Sequence, residues 1–232
     1  SISSIRYLLT NTSPMKKESI LKVMDLFPKA NFYTYYGLTE ASRSTFLLFN
    51  KNKNKLESVG KTAPGVEIKI LDNNGKVISN DAMGEIFIKG DNVIKNYWNN
   101  PQADQFIQDG WLQTGDLGYF DSDNFLFLKS RKDDLINVGG EKFTSEEVEL
   151  IIKEIPEISD VAVIGISNEI FGQLPVAFVV TNKEITVTQI INHCSKKMER
   201  YKIPHKIFFL DALPKTDSGK IKRNSLKSNF IQ

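Results

Sequence analysis

The chain changes texture twice, and these changes constrain its fold more than any single motif does. From about Val59 to Leu128, short strand candidates alternate with turns. Val66-Glu67-Ile68-Lys69-Ile70 alternates apolar and charged residues, as a half-buried strand does. Asp72-Asn73-Asn74-Gly75 follows it, and its Asn-Gly pair predicts a type I′ hairpin with two positive-φ residues. Gly84–Lys89 and Phe125–Leu128 are further strands, so this stretch reads as a small antiparallel β subdomain.

Beyond Ser130 the pattern becomes one of alternating helices and strands. Thr144 with Glu147, and Thr186 with Gln189, are two capping boxes. The first opens a helix with Val148, Ile151, Ile152 and Ile155 on one face, stopped by Pro156. The second opens a helix that buries Ile190, Ile191, Cys194 and Met198. Val161–Ile164, Val176–Val180 and Ile207–Leu210 read as strands. Before Val59, Ile20, Val23, Met24 and Phe27 recur with helical spacing. Ser13 is positioned to cap this helix, Pro14 to occupy its first turn and Pro28 to end it. Asn31–Tyr36 reads as an aromatic-rich strand, and residues 50–55 as a polar loop.

Composition excludes several classes. One cysteine among 232 residues cannot form an intramolecular disulfide. With 41% hydrophobic residues the chain can bury a core. No apolar run is long enough to span a membrane, and the first residues lack the pattern of a signal peptide. A cytoplasmic location is therefore expected. Thirty basic against 28 acidic residues give no bulk attraction for nucleic acid. The first residue is not Met, which suggests a start within a longer protein. His193 and His205 lack metal-ligand spacing, and Cys194 on an apolar helix face reads as core.

Four clusters could carry chemistry. In Tyr35-Tyr36-Gly37-Leu38-Thr39-Glu40, the glycine allows close backbone approach. The aromatics offer a stacking face. The Thr hydroxyl suits a phosphate oxygen, and the Glu carboxylate suits Mg²⁺. A strand end followed by a helix cap at Thr39 is an equally good reading of these residues alone. In Thr114-Gly115-Asp116, the carboxylate can accept from a ribose diol, although an Asx turn is the simpler reading. The charged run Ser130–Asp134 suits a hinge or a solvated loop, and Gly139-Gly140 follows it before a helix. Finally, Pro214–Arg223 contains Ser218-Gly219-Lys220, without the spacing of a Walker loop. A lysine there can offset charge on a phosphate, whereas composition alone favours a basic surface tail.

Taken in order, these clusters resemble the adenylate-forming superfamily of acyl- and aryl-CoA synthetases, nonribosomal adenylation domains and luciferases, over essentially the whole chain. The resemblance implies a fold that is α/β and α+β: the end of a large N-terminal domain with a β subdomain, then a small mobile C-terminal domain. Residues 1–130 would form the first part, as an α/β segment 1–58 and a β subdomain 59–130. Residues 131–232 would form the second, with a hinge at 131–134.

The implied chemistry is ATP-dependent carboxylate activation through an acyl-adenylate, then thioester formation with CoA. A carrier-protein phosphopantetheine is the alternative acceptor. A nucleotide-binding but incompetent fragment is the alternative from another class, because the family's phosphate loop would precede residue 1.

The resemblance also implies residue roles. Tyr35, Tyr36 and Gly37 would lie at adenine, Thr39 at the α-phosphate and Glu40 on Mg²⁺. Asp116 and Arg131 would bind ribose. Asp133 would be the hinge, and Gly139 and Gly140 would line the pantetheine tunnel. Lys220 would contact carboxylate and α-phosphate. Thr12 and Ser13 would line the adenine and acyl pocket, in place of a Gly-rich loop. Acetate-specific members carry Trp where Gly37 stands, so glycine there implies a pocket open to larger acids.

Overall fold

The computed structural model describes residues 4–11, 14–217 and 219–230. The chain divides into two compact units, Ser1–Lys132 and Asp133–Gln232.

The first unit begins with β1 (Tyr7–Thr10), α1 (Lys17–Leu26) and β2 (Asn31–Tyr36). β1 and β2 pair in parallel through this helical crossover, and β3 (Thr45–Leu48) and β4 (Lys61–Thr62) add antiparallel neighbours. The helix buries Ile20 and Met24 against Phe32, Leu47 and Phe49. Its start differs from the expected one. Lys16 is extended and caps with no side chain, so Pro14 precedes the helix instead of opening it. Ser13 and Thr12 lie outside the described residues. The polar stretch after Phe49 ties elements together: Asn50 Oδ1 accepts from the Phe32 N–H at 2.7 Å, and Asn50 Nδ2 donates to Ala30 O at 3.2 Å.

A second sheet carries β5 (Val66–Leu71), β6 (Gly84–Gly90), β7 (Ile107–Gln108), β8 (Trp111–Phe120) and β9 (Leu126–Arg131). Its order is β5-β6-β8, with β7 and β9 both paired to β8. Ile86, Ile88, Leu112 and Leu126 form its core together with Tyr36 and Ala41.

The Asn-Gly hairpin is not type I′. Only Gly75 is left-handed there, at φ 78°. Asp72 Oδ1 instead accepts from the Asn74 and Lys76 N–H groups, at 2.8 and 2.9 Å, in an Asx turn. The positive-φ pair falls at Asp109-Gly110, with φ 51° and 77°, where β7 turns directly into β8.

The second unit is one five-stranded sheet built from β10 (Leu135–Val138), β11 (Glu141–Thr144), β12 (Ile158–Asn168), β13 (Gly172–Thr181) and β14 (Lys206–Phe209). Its helices are α2 (Ser145–Ile152), α3 (Val187–Ser195) and α4 (Arg223–Phe230). Both expected capping boxes are present, at Thr144/Glu147 and Thr186/Gln189. The continuous apolar strands have both faces covered. Val161, Val163, Ala177 and Val179 pack on α2 and α3 residues, including Cys194. Ala162, Ile164, Val176 and Phe178 pack with Leu213 and with Leu226 of α4. Strands buried on both faces lose the alternating pattern, which is why they read as apolar runs.

Candidate functional site

After β2 the chain enters a tight turn, not a helix, so Thr39 is no helix cap. Leu38 and Ala41 exchange backbone hydrogen bonds at 3.0 and 3.2 Å, with Thr39 and Glu40 between them. The Ser44 N–H then returns to Tyr36 O at 2.8 Å, and Arg43 is left-handed at φ 58°. A Cβ on Gly37 would lie 2.4 Å from Arg43 N and 2.8 Å from Ala41 O. Gly37 is thus required by the backbone of its own turn, a stronger constraint than an open pocket.

Two residues that the sequence did not single out hold this turn from outside. Asn92 Nδ2 donates to Ser42 O and Ser44 Oγ, both at 3.0 Å. Its Oδ1 is buried with no hydrogen-bond partner. Tyr97 OH donates to Glu40 Oε1 at 3.0 Å, and the Ile94 N–H donates to Glu40 O at 2.8 Å. Burial and the Glu40 carboxylate both raise the Tyr97 phenol above its ordinary pKa.

Thr114-Gly115-Asp116 is no turn between strands. It is an irregularity inside β8, where the register with β6 shifts between Glu85 and Phe87. Gly115 is left-handed at φ 72°, as in a bulge that re-aims the next side chain. Asp116 Oδ2 accepts from Tyr36 OH at 2.6 Å, and Asp116 Oδ1 lies 3.6 Å from Arg131 Nη1. Arg131 Nη2 also donates to Thr114 O at 3.2 Å. Thr114, a core residue, donates to Ile86 O at 2.7 Å and accepts from the Asp116 N–H at 3.0 Å. Tyr36, Asp116 and Arg131, which are 80 and 15 positions apart in the chain, therefore meet.

Tyr36 corrects one expectation. Its ring is only 7% exposed and packs in the sheet core, so it is not an open stacking platform. Burial, followed by the Asp116 charge, pushes its phenol far above the ordinary value, and it stays a donor to Asp116. Tyr35 keeps a half-buried ring beside Phe46, at 6.0 Å between centroids, and its hydroxyl accepts from Asn11 Nδ2 at 2.6 Å.

The donor set suits the groups expected. Asp116 is an acceptor-only carboxylate, the kind of group to which a ribose diol donates. Glu40 is a single carboxylate next to a hydroxyl. Mg²⁺ shared with substrate phosphates takes one or two carboxylates and no protein cage. Among the described residues, no group of three His, Cys, Asp or Glu side chains could hold a metal ion.

The other expected residues belong to the second unit. Gly139 and Gly140, at φ 62° and 101°, make the exposed turn between β10 and β11. The Gly139 N–H donates to Phe171 O at 2.8 Å, and the Gly140 N–H to Asn137 Oδ1 at 3.0 Å. Lys220 lies in a closed loop, not in a loose tail. Lys215 bridges Ile221, the Thr216 N–H donates to Lys220 O at 2.7 Å, and the Lys220 N–H donates to Thr216 Oγ1 at 3.1 Å. The Lys220 side chain is exposed. Lys215 Nζ pairs with Asp160 at 2.7 Å on one flank of the loop. On the other flank, Arg223 pairs with Glu149 at 2.8 Å and with Asp134 at 3.0 Å. Asp133 is exposed within the 3-10 turn Lys132–Asp134 that links β9 to β10. Arg131 belongs to the first unit.

The chain belongs to the AMP-binding enzyme family: residues 1–98 match the AMP-binding enzyme family and residues 147–220 match the AMP-binding enzyme C-terminal domain. It is 40% identical over 190 residues to 2-succinylbenzoate–CoA ligase of Enterococcus faecalis, covering 82% of this chain and 39% of that protein. It is 37% identical to 4-coumarate-CoA ligase 1 of Narcissus pseudonarcissus, covering 99% of this chain and 44% of that protein. Among solved structures, o-succinylbenzoate CoA synthetase (MenE) from Bacillus subtilis, in complex with the acyl-adenylate intermediate OSB-AMP, superposes with a TM-score of 0.79 at 36% identity. That match covers 97% of this chain and 46% of the solved one. The chain thus spans less than half the length of these relatives. Among the described residues, no helix is long and apolar enough to cross a membrane.

Proposed function

We propose that the protein containing this chain is an acid–thiol ligase. It would activate an acyl or aryl carboxylate with ATP through an acyl-adenylate, then transfer the acyl group to CoA. The observation that carries this reading is the Tyr36–Asp116–Arg131 cluster, with Asp116 Oδ2 2.6 Å from Tyr36 OH beyond the bulge at Gly115. It is a pre-set carboxylate fit for a ribose diol. The similarity to proteins named as 2-succinylbenzoate and 4-coumarate CoA ligases supports the same reading.

In the first step the substrate carboxylate attacks the α-phosphorus of ATP, and pyrophosphate leaves. Asp116 and Arg131 hold the ribose, Thr39 bonds an α-phosphate oxygen, and the Lys220 ammonium offsets charge developing on phosphate. Mg²⁺ held by Glu40 would supply further neutralisation there. In the second step the thiol sulfur adds to the acyl carbonyl and AMP leaves. Gly139 and Gly140 provide a narrow backbone surface for the pantetheine arm. Backbone rotation at Asp133 is assigned to the change between steps.

The test is ATP–pyrophosphate exchange across a panel of aryl and acyl carboxylates, followed by addition of CoA. Acid-dependent exchange and a CoA thioester are expected. Lys220→Ala should slow exchange by roughly 100-fold or more. Exchange with no thioester on CoA, but with one on a phosphopantetheinylated carrier, would move the reading to carrier loading. Nucleotide binding with no exchange for any acid would leave a binding fragment only.

A further inference from the structure

We propose that Tyr97 is a positioning residue for Glu40, fixing which carboxylate oxygen is presented to the Mg²⁺ that accompanies the nucleotide. The inference rests on the reading that Glu40 holds this ion. A phenol has one O–H to donate, and that of Tyr97 is spent on Glu40 Oε1 at 3.0 Å. Among the described residues, this is the one hydrogen bond to the Glu40 side chain. It leaves Oε2 as the oxygen without a protein partner there.

The main chain of Glu40 is held from the same side. Its carbonyl accepts from the Ile94 N–H at 2.8 Å, and the next residue, Ala41, bridges Val93. Residues 93–97 thus fix the Glu40 backbone and one end of its carboxylate together. Tyr97 is itself anchored, because its N–H donates to Asp104 Oδ1 at 2.8 Å, within the 3-10 segment Pro101–Phe106. The adjacent aromatic shows what an unanchored position looks like: Trp98 is 96% exposed. Of two neighbouring rings, one is turned inward and ends on a carboxylate.

A carboxylate on a flexible stem must lose rotamer freedom before it can ligate. A hydrogen bond to the non-ligating oxygen removes that freedom beforehand. Partners of this kind around ligating carboxylates typically change metal affinity by about 10- to 100-fold when removed. A mere tether would act differently. It would lower stability, or weaken nucleotide binding whether or not metal is present.

The experiment measures the ATP dissociation constant by calorimetry, with saturating Mg²⁺ and with EDTA, in the protein containing this chain. The ratio of the two constants is the Mg²⁺ contribution, by linkage. Tyr97→Phe should cut that ratio about 10-fold and leave the EDTA value within about twofold. Glu40→Gln should abolish the ratio, and adding Tyr97→Phe to Glu40→Gln should change nothing further. Should the Phe variant not fold, Asp104→Ala keeps the Tyr97 hydroxyl and removes the acceptor of the Tyr97 N–H, and should cut the ratio by a smaller factor. Equal weakening with and without Mg²⁺, or a further loss in the Glu40→Gln background, overturns the proposal. A lowered ratio in Glu40→Gln with an unchanged one in Tyr97→Phe defeats this inference alone. An unchanged ratio in Glu40→Gln defeats the Mg²⁺ reading of Glu40 itself.

Discussion

The guanidinium of Arg223 reaches both oxygens of Glu149, Nη1 to Oε1 at 2.8 Å and Nη2 to Oε2 at 3.3 Å. The same Oε1 accepts the Val163 N–H at 2.8 Å, and Arg223 Nε lies 3.0 Å from Asp134. One arginine at the start of α4 therefore joins α2, β12 and the first residues of the second unit. Burial works to lower its pKa, and the Glu149 and Asp134 carboxylates together more than offset this. Removing Glu149 leaves the poorly solvated guanidinium with the Asp134 carboxylate, and the buried Val163 N–H without its acceptor.

Glu149→Ala should destabilise the second unit by about 3–5 kcal/mol, read as a shifted midpoint in urea denaturation followed by circular dichroism. The double variant Glu149→Met/Arg223→Met should recover part of that loss, because the guanidinium no longer faces a missing carboxylate, while Asp134 loses its Arg223 contact and the Val163 N–H its acceptor. A double variant no better than the single would mean that the pair contributes by attraction more than by avoiding an isolated charge.

Gly37 carries a second prediction. Its missing Cβ would sit 2.4 Å from the backbone nitrogen of Arg43, a distance that no side-chain rotation relieves. Gly37→Ala should destabilise the first unit by at least about 2 kcal/mol, and Gly37→Trp by more. Thermal midpoints of both variants check this. A Trp variant with an unchanged midpoint and a preference for shorter acids would restore the simpler view of Gly37 as the opening of a pocket.

The contrast shows what was legible in the sequence. The capping boxes at Thr144 and Thr186 were readable because cap, partner and apolar stripe lie within a few residues of each other. The strands Val161–Ile164 and Val176–Val180 were readable because burial on both faces left unbroken apolar runs. The residue types at Tyr36 and Asp116 suggested a nucleotide site, and the family resemblance added Arg131, but neither showed their contact. That contact depends on a bulge in β8 and on pairing between distant strands. Arg223 and Tyr97 carried no local signal at all, since their partners lie 74 and 57 residues away. Asn74-Gly75 and Asp109-Gly110 carry the same type I′ signal, but only the second pair has both residues at positive φ. What decided between them was the side chain of Asp72, which captures its own loop.

Cys194 gives a third prediction. It is fully buried, and that burial pushes its thiol up to about 11. The thiolate is the reactive form, so alkylation by iodoacetamide at pH 8 should proceed only as fast as the second unit opens. Trapping rates across increasing urea should track unfolding. Because the folded pKa is raised, the associated stability is complete below the unfolded value and declines as pH rises from there toward about 11. Rapid alkylation of the folded protein would remove Cys194 from the core.

Asp160 supports the fourth prediction, at the root of the Lys220 loop. Its oxygens face Lys215 at 2.7 Å and Lys153 at 3.6 Å. Burial works to raise its pKa, but the Lys215 hydrogen bond, the Val161 N–H and the two ammonium charges outweigh burial and lower it. A carboxylate depressed on folding stabilises the native state above its unfolded pKa, about 3.9, and that contribution fades as pH falls through the folded value. The loop should therefore stay tethered at neutral pH and loosen only below about pH 3.9. The amide shifts of Lys215 and Thr216, followed from pH 6 to pH 2, should move with the Asp160 carboxyl resonance. Asp160→Asn should remove that step and leave Lys215 free to move at every pH, which would reach Lys220 through the Thr216–Lys220 hydrogen bonds. An identical pH course in wild type and Asp160→Asn would place the anchor of the loop elsewhere, on the Arg223 side.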